Sequence, residues 1–184
     1  MERPSENLIY NRSLKDVQRV AELNKKISNG SATAEEVQGW FKTKGALNHT
    51  DLNRIETWTE FLSNYLKSYG YNAPIKKRTE RTYIPQVKPE GGVVIPDAEL
   101  IVYSDWRMWD IPELTEINRI RDNVNAIQKG FYSLSDWRDI ACKDNPNFED
   151  INTLEWDLQS IYQWLNLMML NFTFSGEIYA GEAW

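Results

Sequence analysis

In this 184-residue chain Asp105, Asp110, Asp136 and Glu155 each lie beside a tryptophan. Two carboxyl groups flanking a sugar held on aromatic faces is the arrangement that hydrolyses glycosidic bonds. An acid-pair glycoside hydrolase is therefore one reading. The same acids also sit where helix N-termini and solvated helix faces place them. Trp106, Trp109 and Trp137 offer a second reading, an aromatic face for a carbohydrate or a receptor. Ser-Asp-Trp-Arg occurs twice, at 104–107 and 135–138.

Other chemistry finds few residues to use. His49 is the only histidine and Cys142 the only cysteine. A histidine-based triad has one possible base, and zinc sites built from several Cys and His are excluded. His49, in Asn48-His49-Thr50, reads as a loop residue before a helix, and Cys142 as a small half-buried one. There is no Walker loop, dinucleotide fingerprint or EF-hand spacing. No catalytic residue, metal ligand or cofactor is assigned, and the chain reads as a binding or structural protein.

Composition narrows the partners. A net charge of −6 argues against a general nucleic-acid binder. No apolar run approaches the ~20 residues of a membrane span, and no secretory signal is expected at Met1–Glu6. One cysteine leaves no internal disulfide, so packing alone must hold the fold. Eight Trp and nine Tyr supply large aromatic surface for a core or for interfaces.

The elements that must position these residues are mostly helices. Ser13 with Asp16 opens the first, which Gly30 ends. Thr33 with Glu36 opens a short second, stopped by Gly45. Thr50 opens a third, with Ile55, Trp58, Leu62, Tyr65, Leu66 and Tyr69 on one stripe and Gly70 at its end. Residues 73–97 hold Pro74, Pro85, Pro89 and Pro96 with Lys76, Lys77, Arg78, Arg81 and Lys88. Proline disfavours helix, so an extended arm with strand pieces at Thr82–Ile84 and Leu100–Tyr103 is expected. Asp110 reads as the N-cap of a fourth helix carrying Leu114, Ile117, Ile120, Val124 and Ile127. A short helix around Trp137 follows, then a long one from about Asp150 or Asn152 to Leu170. Residues 172–184 alternate apolar and small or polar types, which suggests an extended or β tail.

The expected fold class is mainly α, with two small helical subdomains (1–72 and 105–171), an arm at 73–104 and an apolar tail at 172–184. Asp51-Leu52-Asn53-Arg54-Ile55-Glu56 is echoed by Asp150-Ile151-Asn152-Thr153-Leu154-Glu155. Either duplication or shared helix-start chemistry explains the echo.

Several short motifs carry a resemblance. They are Tyr10-Asn11-Arg12-Ser13 with Asp16-Val17, Thr33-Ala34-Glu35-Glu36, and Gly45-Ala46-Leu47-Asn48 leading into Asp51–Glu56. Later come Trp109-Asp110-Ile111-Pro112, Asn118, Asp122-Asn123-Val124 and the closing run Ser175–Glu182. Together they resemble a family of tail-associated proteins from phages and prophages of Clostridium-like Gram-positive bacteria. The basic, proline-rich stretch at 73–97 departs from that pattern. The resemblance implies a virion structural protein of the baseplate, tail tip or fibre-attachment region, assembled in the bacterial cytoplasm. Its partners would be other tail proteins, in several copies of a symmetric assembly, with no nucleic acid and no membrane. The expected contacts are Arg78, Arg81 and Tyr83 in the arm and Ile178, Tyr179 and Trp184 in the tail.

Overall fold

The computed structural model describes residues 2–40, 43–82, 86–87, 90, 93–94, 99–103, 105–107, 110, 112–131, 137–138 and 146–179. The fold is mainly helical. Helix α1 spans Leu14–Ser28, and Ser13 and Asp16 cap it reciprocally. Gly30 follows its C-cap at φ 70°, a conformation that side chains rarely adopt. Helix α2 spans Ala34–Trp40. The Thr33 amide donates to Glu36 and the Glu36 amide to the Thr33 hydroxyl, at 3.0 and 3.1 Å. Helix α3 spans His49–Ser68 and ends before Gly70 at φ 85°. Its N-cap is Asn48, two residues before the expected Thr50, because Asn48 accepts the Thr50 and Asp51 amides while Asp51 reaches back to the Asn48 amide. Helix α4 spans Leu114–Phe131 and α5 spans Phe148–Tyr179.

Helices α3, α4 and α5 run parallel. Near their N-terminal ends Arg54 meets Glu155 and Glu56 meets Arg119. Further along, the Trp58 and Tyr162 rings are 5.2 Å apart. At the far end Tyr71 touches both Phe131, at 5.4 Å, and Met168. One core results. Ile55, Trp58, Leu62 and Leu66 from α3 pack with Ile120, Val124 and Ile127 from α4. Ile151, Leu154, Leu158, Ile161 and Leu165 complete it from α5. Each such burial contributes about 1.5–3 kcal/mol. The expectation of two helical subdomains is corrected here. Each long stripe is too apolar to be covered by its own half, and the two halves cover each other.

Parallel helices need connections that return along the bundle, and extended backbone must find hydrogen bonds on the way. Three asparagines supply them. The Asn152 amide clasps the backbone N–H and C=O of Arg12, at 3.0 and 2.9 Å. Asn123 clasps Lys76 at 2.8 Å in both directions. Asn53 clasps Trp106 at 2.6 and 2.9 Å. The echoed sequences occupy equivalent places. Asn48 and Asn147 start α3 and α5, Asp51 and Asp150 reciprocate, and Asn53 and Asn152 are both clasps.

The arm is a β-hairpin and not a spacer. β1 (Arg78–Thr82) pairs antiparallel with β4 (Glu99–Tyr103), Arg78 opposite Tyr103. Nested inside, β2 (Gln86–Val87) pairs with β3 (Val93–Val94). The chain leaves the bundle after Lys76 and re-enters at Trp106, both held by clasps. The hairpin therefore separates nothing. The expected extended tail is also corrected over 172–179, where α5 continues through Tyr179, while 180–184 lie outside the described residues. A helix already nucleated gains one bond per added residue, and Gly176 opposes it by only ~1 kcal/mol.

Candidate functional site

Three places gather the residues that sequence reading singled out. The first is a buried ionic cluster. Arg12, on the extended N-terminal segment, hydrogen-bonds Asp51 at 2.9 Å and Glu155 at 2.8 Å. Arg54 reaches the same two carboxylates, bonding Glu155 at 2.9 and 3.0 Å and closing on Asp51. Glu155 also accepts the Ile9 amide. Two positive and two negative groups thus balance out of water. Burial works against the charge on Arg54, and the bonds and attraction of Glu155, then Asp51, outweigh it, so its pKa is raised. Glu155 is 0% exposed and fully engaged, which removes it from any acid pair acting on a substrate.

The second place is the root of the hairpin. Trp106 is 3% exposed. Its Nε1 donates to Glu56 at 3.0 Å, and the Arg78 guanidinium lies 4.0 Å from its ring centre. Arg78 also pairs with Asp110 at 2.8 Å. Two expectations are corrected by this packing. Trp106 is a core residue, not part of an open ligand face. Arg78 is buried on that ring, not displayed for a partner. Asp110 is not the N-cap of α4, which begins at Leu114. Its carboxylate instead accepts the Arg107 amide at 2.9 Å, closing a turn.

Those contacts fix the sign of a pH effect. The Arg107 amide, then Arg78, hold the Asp110 pKa below its ordinary value. The stabilisation is present above the unfolded-state pKa and is lost as pH falls through the folded one. Asp110→Asn should therefore flatten the acid limb of a melting-temperature profile. An unchanged acid limb would refute this.

Asp105 is exposed and borders a cavity of about 90 Å³ lined by Glu56, Glu60, Lys76, Lys77 and Arg119. That volume holds a few waters and falls below the ~300 Å³ usual for small-molecule sites. Trp137 is half-buried and packs against the core, and Arg138 lies 4.3 Å from the Trp156 ring. His49 is the first residue of α3. Among the described residues no three His, Cys, Asp or Glu side chains group as metal ligands, and no helix is long and apolar enough to cross a membrane. Tyr83, Trp109, Asp136, Cys142 and Trp184 lie outside the described residues.

No family model, curated protein or solved structure matches the chain. Its surfaces must speak for it.

The third place is the outer end of α5. Among the residues whose burial is described, Leu165 is the last fully buried one of the helix, and Met168 meets Tyr71 beyond the end of α3. Trp164, Leu167 and Leu170 are 45%, 51% and 55% exposed. Arg81 lies in β1, and Ile178 and Tyr179 lie in the last turn of α5. Sequence reading placed the interface residues in the arm and in an extended tail. It missed Trp164, Leu167 and Leu170, whose signal was an apolar stripe on the side of the helix away from the core.

Proposed function

We propose that this chain is a structural subunit of a phage-tail-like particle, in the baseplate, tail tip or fibre-attachment region. It acts through protein–protein contacts and is present in several copies. The observation that carries the contact role is the outer part of α5, where large apolar side chains stand in water on the side of the helix away from the core. Soluble monomers keep contiguous apolar patches small, and larger ones mark interaction sites. The tail assignment rests on the resemblance of the short motifs. The hairpin is the second candidate contact element, and Arg78 at its root is taken up by the Trp106 ring.

Particles induced from a host and viewed by electron microscopy with this chain tagged test the assignment. Density for the tag at the tail is expected. Deleting Gly176–Trp184 should leave the far-UV helical signal nearly unchanged and remove the chain from sedimented particles. Incorporation equal to the full-length chain would count against the reading.

A further inference from the structure

We infer that the outer stretch of α5 pairs with the same stretch of a second copy, as a short parallel two-helix coil. This rests on the reading that the chain works through protein contacts. Trp164, Leu167 and Asn171 are exposed and follow one another at spacings of three and four. Positions 174 and 178 continue the spacing with Phe and Ile, and the helix runs through both. A three–four repeat is the seam of a coiled coil, with Trp164, Asn171 and Ile178 at a and Leu167 and Phe174 at d.

Geometry separates this seam from the core. At about 100° per residue, it lies about 130° round the helix from the line of Ile151, Leu154, Leu158, Ile161 and Leu165. One helix thus presents two faces, one filled by α3 and α4 and one open. The bundle supplies the nucleus that a free helix of this length would lack. Position 176, where glycine stands, falls at f, away from the partner.

Charge and polarity name the occupant. No charged residue lies between Gln159 and Gly176, although the chain carries −6 overall. Two copies repel over most of their surface and do not repel here. A single asparagine at an a position is satisfied by an asparagine facing it, and it fixes the register of a parallel pair. A second copy brings that asparagine by identity, and the two-fold contact is self-complementary.

Sedimentation equilibrium of the full chain tests the inference. The native chain should weigh twice its 21.6 kDa monomer. Leu167→Glu should raise the dissociation constant roughly 100-fold or more, with far-UV helicity kept. Asn171→Cys, in a Cys142→Ser background, should cross-link copy to copy on mild oxidation. A native monomer at tens of micromolar would overturn the proposal, as would a Leu167→Glu dimer as tight as the native one. Absent cross-linking in an otherwise dimeric Asn171→Cys chain would overturn the parallel register. A monomer that still enters particles would retire the seam and keep the tail reading. A dimer absent from particles would do the reverse.

Discussion

Glu155→Gln should cost about 3–5 kcal/mol of folding free energy, the usual penalty for removing one member of a buried charge group. Glu155 is the acceptor shared by Arg12, Arg54 and the Ile9 amide. Replacing it by the amide leaves two buried guanidinium groups with one carboxylate, Asp51. The amide matches the carboxylate in shape, so the loss reports charge and hydrogen bonding, not a cavity. For a domain of this size it should lower the melting temperature by roughly 6–20 °C. The extended N-terminal segment should loosen with it. Arg12 and Ile9 tether that segment to α5, and Leu8 then keeps only the Asn152 clasp on Arg12 and the Trp58 bond to the Glu6 carbonyl on either side of it. Arg12→Met should interact with Glu155→Gln, the double variant losing less than the sum of the two. A loss under about 1 kcal/mol, or strict additivity, would show that the cluster does not hold the segment.

Helix ends were the most legible part of the chain, because capping is local chemistry. Ser13 with Asp16, Thr33 with Glu36, and Gly30 and Gly70 act as their types and spacing imply. Helix direction was not legible, since a cap says nothing about which helix lies alongside. That is why two halves with their own stripes read as two subdomains. The clue lay within the stripes. Asp51 and Arg54 share the inward face of α3 with Ile55 and Trp58, and Glu155 shares that of α5 with Ile151 and Leu158. Charges on an inward face need compensating partners, and an acid on one helix answers an arginine on another. The arm was legible as extended but not as paired, because proline spacing forbids helix without saying which strand meets which. The tail misled for a different reason. An alternation this short fits a strand, while the decisive fact is the long nucleated helix behind it.

The tryptophans beside acids were read two ways, and Trp106→Ala decides between them. On an open sugar-binding face the change would be nearly neutral for stability, within about 0.5 kcal/mol. In the position observed it empties a buried site between α3 and the hairpin root, and the expected loss is about 3–5 kcal/mol. It also strips a hydrogen bond from Glu56 and the ring on which Arg78 lies. The clasp with Asn53 is made by the Trp106 backbone, so it survives the substitution. The loss should therefore show twice. Urea denaturation should shift to a lower midpoint, and protease should cut within the hairpin at concentrations where the three parallel helices stay folded. Trp106→Phe keeps most of the buried area while giving up the N–H, so it should recover more than half of the loss. A stable Trp106→Ala chain with an intact hairpin would return Trp106 to the surface and reopen the ligand-face reading.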